Sequence, residues 1–223
     1  MNVTQTIEER SFEEKRSVKA VIGDFLGEGL AGMTAVILTI VGLSGFSPEV
    51  MLSIATVAVG IAFLLEAGAV SMRFPPFLAE RGKKFFAEGP GTGAAAEFVG
   101  GLAGILLGVL SLIGLSRMVL VSVGVIVYGF TLVMSSGSLL RFSLLLRDEM
   151  SDNDHRNVLR EAVSTAANFE FLFGLSVVLL GIIALSGSLF AETLNFAALL
   201  ILGVSGFLTA TSVTAKMSRV FRE

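Results

Sequence analysis

The chain has 223 residues, 53% of them hydrophobic and 16% charged, with a net charge of −3 and no cysteine. A soluble domain carries roughly 25% charged residues, so this composition, with a mean hydropathy of +0.83, points to lipid as the solvent. A weakly acidic balance gives no reason to invoke nucleic acid, and without cysteine there is no disulfide, thiolate or cysteine–metal chemistry.

Residues 1–27 form a charged N-terminal segment in which Phe12, Val18, Val21, Ile22, Phe25 and Leu26 fall at mostly helical intervals. This suits an amphipathic helix lying at a membrane surface. A cleaved signal peptide would run from a short basic start directly into its apolar region, so no cleavage is expected. Beyond it, uncharged runs cover residues 29–48, 50–65, 98–116, 118–140, 171–191 and 193–215. A helix crosses a bilayer core with about 20 apolar residues, and the runs lack the alternation of barrel strands. The expected fold is therefore all-α and integral to the membrane, with six transmembrane helices in three hairpins. The hairpins occupy 28–74, 97–142 and, with a C-terminal tail, 170–223, joined by connectors over 75–96 and 143–169. The second connector reads as an acidic turn followed by a helix, with Ser151, Asp152 or Asn153 available as its cap.

The hairpins look like one unit used three times. Glu28, Glu97 and Glu170 open the first halves, with glycine four residues on (Gly32, Gly101, Gly174) and again at seventeen (Gly45, Gly114, Gly187). In the second halves Gly60 and Gly129 lie 32 residues past their glutamate, and Gly206 lies 36 past Glu170. That spacing predicts an extra helical turn in or near the outer loop of the third hairpin. Two spans per copy make all copies enter the membrane in one direction, which predicts a pseudo-threefold axis along the membrane normal. Of the 16 Lys and Arg, all but Arg117 fall before the first span, between the second and third, between the fourth and fifth, or in the tail. The excess of basic residues on one side predicts that both termini are cytoplasmic, in the inner membrane of a bacterium or archaeon.

Four groups of residues are candidates for function. Glu28, Glu97 and Glu170 would lie at one depth under a threefold axis and could form an ion- or proton-binding ring. The plainer reading makes each a carboxylate at a helix N-terminus, stabilised by the helix dipole by about 0.3–1 kcal/mol. Glu66 falls near the inner boundary of its span, with Ser135 and Ser212 as its repeat equivalents; it is a candidate intramembrane acid, or a boundary side chain that snorkels. Gly100, Gly104 and Gly108 recur every four residues, a spacing that lets helix backbones pack closely within or between protomers. Thr34, Thr39, Ser111, Ser122, Thr131, Ser205 and Thr209 read as helix-to-helix hydrogen bonders. The single histidine, His155, reads as part of a solvated loop; no metal set and no cofactor is expected. The stretch GPGTG lacks the following Lys-Ser/Thr of a phosphate loop. No catalytic constellation is present in the sequence.

The repeated pattern, with Gly101, Gly108, Gly114 and Gly129–Phe130 in the second copy and Gly174, Gly181, Gly187 and Gly206–Phe207 in the third, resembles that of HdeD-like acid-resistance membrane proteins. Gly60–Ile61 matches in the first copy, and Pro48 supplies the turn proline there alone. The resemblance covers most of the chain beyond residue 28. It implies a small membrane protein linked to stress and transfers no catalytic residue. The expected function is a non-enzymatic structural or accessory membrane component, associating with itself or with a larger membrane complex. The alternative is a small transporter or a cation or proton channel with an axial path.

Overall fold

The computed structural model describes residues 29–73, 91–148 and 154–220. Within them are six helices and no strand: α1 (Gly29–Leu43), α2 (Pro48–Arg73), α3 (Gly91–Leu112), α4 (Arg117–Asp148), α5 (Asp154–Leu185) and α6 (Ala191–Val220). The helices α2 to α6 are long and apolar enough to cross a membrane, and the described part of α1 is a shorter apolar helix. The protein is a helical, membrane-embedded bundle. The N-terminal segment 1–27, Glu28 and residues 74–90 and 149–153 lie outside the described residues.

Three tight turns reverse the chain between α1 and α2, α3 and α4, and α5 and α6. Each contains a glycine at positive φ: Gly45 at 91°, Gly114 at 97° and Gly187 at 83°. This left-handed conformation ends a helix at little steric cost only when no Cβ is present. At Gly114 the next amide, of Leu115, reaches back to the Leu110 carbonyl at 3.3 Å, the long back-bond of a Schellman stop. Pro48 then opens α2, where its fixed φ fits and its missing N–H would be unpaired anyway. The glycine-to-helix step is three residues at Gly45–Pro48 and Gly114–Arg117, and four at Gly187–Ala191. The third turn is therefore longer by one residue, not by a helical turn.

The three turns gather at one end of the bundle. Glu49 and Arg117 pair there at 2.8 Å, the Ser53 and Ser111 hydroxyls bond at 2.7 Å, and the Asn195 amide donates to Ser122 at 2.9 Å. From that turn end, α2, α4 and α6 run down the centre. Their spans are 56%, 50% and 44% buried, against 33% for α3 and 28% for α5. The core is correspondingly built from Leu52, Val59 and Phe63 of α2, Val121, Tyr128 and Leu132 of α4, and Phe196, Leu199 and Leu202 of α6. The outer helices expose Phe98, Leu102 and Leu106, and Leu172, Leu175 and Leu179. In water such faces would form patches far larger than soluble monomers carry. In lipid they are the natural perimeter.

Apolar burial does not drive helices together inside a bilayer, so close packing must. Three glycine pairs provide it. A Cβ added to Gly60 would sit 2.8 Å from the Gly101 carbonyl oxygen, and one on Gly101 would sit 2.8 Å from that of Gly60. Gly129 and Gly174 are reciprocal in the same way at 2.8 Å, as are Gly32 and Gly203 at 2.9 Å. These crossings join α2 to α3, α4 to α5, and α6 back to α1, closing the bundle on itself. Gly60, Gly129 and Gly203 each lie twelve residues past the first residue of their helix. Gly206, matched to them on sequence, has nothing within 4 Å of its would-be Cβ.

The hydroxyls divide in a way the sequence reading missed. Thr34, Thr39 and Thr131 donate to carbonyls four residues back in their own helices, a local solution that needs no neighbour. Bonds between helices come from Ser53–Ser111, Asn195–Ser122, Tyr128 to the Thr56 carbonyl at 2.6 Å, and Ser135 to Glu97.

Candidate functional site

The end opposite the turns carries the acids. Glu97 lies four residues before the crossing glycine of α3 and Glu170 four before that of α5, each about 6 Å further from the turn end than its crossing. Glu66 lies six residues beyond Gly60, about 9 Å on the same side. Carboxylates from α2, α3 and α5 thus share one end of the bundle. Ser135, six residues past Gly129, holds the register position of Glu66. In α6 that position belongs to Thr209, six past Gly203, rather than to Ser212.

Neither Glu97 nor Glu170 is a helix cap. Glu97 is the seventh residue of α3 and Glu170 the seventeenth of α5, beyond the first-turn amides that a cap would serve. The dipole-cap reading is therefore corrected for both: α3 begins six residues and α5 sixteen residues before its glutamate. His155 is likewise displaced, from a loop to the first turn of α5.

Glu97 is only 3% exposed. Its Oε1 accepts a short hydrogen bond from the Ser135 hydroxyl, while its Oε2 is buried with no hydrogen-bond partner. Glu170 also has a buried Oε2 without a hydrogen-bond partner. Beside Glu170 lies a cavity bordered by Phe63, Glu66, Leu132, Ser205 and Gly206 among others. The cavity follows from register. Phe63 and Leu132 each stand fifteen residues past the start of their helix, and at that position α6 has Gly206. The missing side chain leaves about 20 Å³ for a solvent centre, against about 10–15 Å³ needed by one water.

Toward the turn end the interior is filled. Tyr128, Phe196, Leu52, Leu199, Val121 and Val125 are all under 2% exposed. Gly104 and Gly100 lie against Tyr128 and Thr131 of α4, and Gly108 against Val57 and Ser53 of α2, so this glycine face is used within the chain. Asn195, the one amide of its apolar run, keeps a buried Oδ1 without a hydrogen-bond partner. Tyr128 and Asn195 were not singled out on sequence. Each carries a polar group inside an otherwise apolar run, and that was the available signal.

Among the described residues no three His, Cys, Asp or Glu side chains converge closely enough to hold a metal ion. No family model, no curated protein and no solved structure matches this chain.

Proposed function

We propose that this protein is a non-enzymatic structural or accessory component of the cytoplasmic membrane, associating with itself or with a larger membrane complex. In this reading it is three hairpins about a pseudo-threefold axis, with both termini cytoplasmic and the acid end facing the cytoplasm. The observation that carries the reading is the filled axis between the turn end and the acid cluster, where Leu52, Val121, Tyr128, Phe196 and Leu199 are buried to within 1%. A channel needs a continuous polar path or a constriction that can wet, and a packed layer of that depth offers neither. The reciprocal glycine crossings support the threefold relation, because they recur at one register in all three inner helices. The 15-to-1 division of basic residues supports the orientation. Contacts to a second copy or a partner would use the lipid-facing surfaces of α3 and α5, since Gly100, Gly104 and Gly108 are already occupied.

The test is ion flux in proteoliposomes holding either the wild-type chain or one with Glu28, Glu97 and Glu170 all changed to Gln. No flux is expected from either. Wild-type flux that disappears in the triple variant would overturn the accessory reading and establish a cation or proton path.

A further inference from the structure

We propose that the turn end of the bundle is a lipid-docking surface, on which Phe46, Ile113, Leu115, Leu189 and Phe190 sit at the boundary between the acyl chains and the headgroups of one leaflet. Phospholipid, rather than water or a second protein, closes over the hairpins there. The surface goes beyond the accessory reading: it leaves the sides of the bundle and the end opposite the turns as the places where a partner can bind.

Three observations carry it. The first is what the turns present. Turns in water are built mainly from Gly, Pro, Asn, Asp and Ser, yet each of these three also holds large apolar side chains outward. Leu189 is 99% exposed, Ile113 and Phe190 70%, and Phe46 65%. The second is continuity with the lipid-facing perimeter. Ile40 and Leu43 of α1, Val109 and Leu112 of α3, and Ile182 and Leu185 of α5 are exposed just before the tips. No charge interrupts residues 29–48, 98–116 or 171–191, so the apolar perimeter passes directly onto the turns.

The third is that polar groups at the turns find partners within the chain, as a lipid-facing backbone requires. The amides of Gly45, Gly114 and Gly187 each bond to a carbonyl three residues back. The Ser44 and Ser186 hydroxyls donate to the Val41 and Ile183 carbonyls at 2.6 and 2.7 Å. Glu49 and Arg117 neutralise one another across two hairpins at 2.8 Å. A docked protein would use such groups for hydrogen bonds of its own, and these are already engaged. Glu192 lies in the first turn of α6, where the helix dipole favours a carboxylate. An apolar tip beside an ion pair and one acid matches the depth at which acyl chains give way to headgroups.

The experiment places a reporter at the tips of the full chain, reconstituted in phosphatidylcholine vesicles at a high lipid-to-protein ratio. The chain has no tryptophan, so Leu189→Trp supplies the sole indole, and Phe46→Trp gives the same reading on another hairpin should the first not fold. Leu179→Trp, midway along the exposed face of α5, is the reference for acyl surroundings. Fluorescence is quenched either by lipids brominated near the acyl carbonyls or by iodide present on both faces of the membrane. For the tip variants the loss of emission to bromine should exceed the loss to iodide. A loss to iodide as large as that of N-acetyltryptophanamide places the tips in water and overturns the proposal. Insensitivity to both quenchers means that protein covers the tips, and overturns it equally. Tryptophan itself favours interfaces, so Leu189→Cys checks the position without an indole in a chain that has no other cysteine. A charged maleimide on both faces should label it more slowly than N-acetylcysteine, and an equal rate overturns the proposal.

Discussion

The packing around Tyr128 gives a sharp test of how this bundle is held together. Tyr128 is fully buried, and its hydroxyl donates to the Thr56 carbonyl at 2.6 Å. A Cβ on Gly104 would fall within the tip of the Tyr128 ring, overlapping Oη, Cζ and Cε1. The ring cannot simply slide toward α2, because its hydroxyl already stands 2.6 Å from the Thr56 carbonyl oxygen of that helix. Gly104→Ala must therefore displace the ring and break the bond to Thr56. Overpacking costs about 1–3 kcal/mol and the lost hydrogen bond about 0.5–1.5 kcal/mol. The gain from replacing glycine in a helix, about 0.5–1 kcal/mol, offsets part of that. A net loss of about 1–3 kcal/mol is expected. In a Tyr128→Leu background the obstruction is gone, and Leu is what α6 carries at the matching position, Leu202. There Gly104→Ala should be neutral or stabilising. Unfolding in mixed micelles of rising SDS fraction would give the four corners of this double-mutant cycle. A coupling of at least about 1.5 kcal/mol is expected; additivity within about 0.5 kcal/mol would refute the proposed role of Gly104 as the seat of the Tyr128 ring.

The same measurement applied to other glycines should separate crossing positions from open ones. Gly174→Ala places a Cβ 2.8 Å from the Gly129 carbonyl and should lose about 1–3 kcal/mol, whereas Gly137→Ala meets nothing within 4 Å and should be unchanged or gain up to about 1 kcal/mol. Arg117→Ala removes an ion pair whose side chains are 39% and 55% exposed; it should cost less than about 1 kcal/mol, and raising salt in detergent should shrink even that. Reporter fusions within residues 75–95 and 148–160 should read as cytoplasmic, and a periplasmic signal from either connector would reverse the topology.

The helical, membrane-embedded character was legible because the apolar runs of the inner and outer helices are too long for anything else. The turns were legible too, since a left-handed helix stop selects glycine and leaves it at a fixed distance from its helix. Register in α6 was not. Gly203 and Gly206 are three residues apart, only about 60° from the same helix face, so a pattern of glycines at helical spacing accepts either. The two differ in what lies opposite. Gly203 touches the α1 backbone at Gly32, and Gly206 faces the cavity that its own missing side chain creates.

Which helix of each pair lines the axis was also hidden from hydropathy, because in lipid both the core and the perimeter are apolar. The polar residues carry that information. Tyr128 and Asn195, with the Ser53 and Ser122 hydroxyls that bond across helices, sit on α2, α4 and α6. A group that must find a partner away from lipid turns inward. The acids obey the same logic, and reading them as markers of where a span ends concealed it. Glu97 and Glu170 lie inside long helices, four residues from close backbone crossings, and each keeps a carboxylate oxygen out of contact with solvent. Glu66 has as its counterpart in α4 Ser135, the residue that bonds Glu97. Six residues past the crossing glycine, α2 and α4 therefore both carry a polar side chain at the acid end, a carboxylate in one and a hydroxyl in the other.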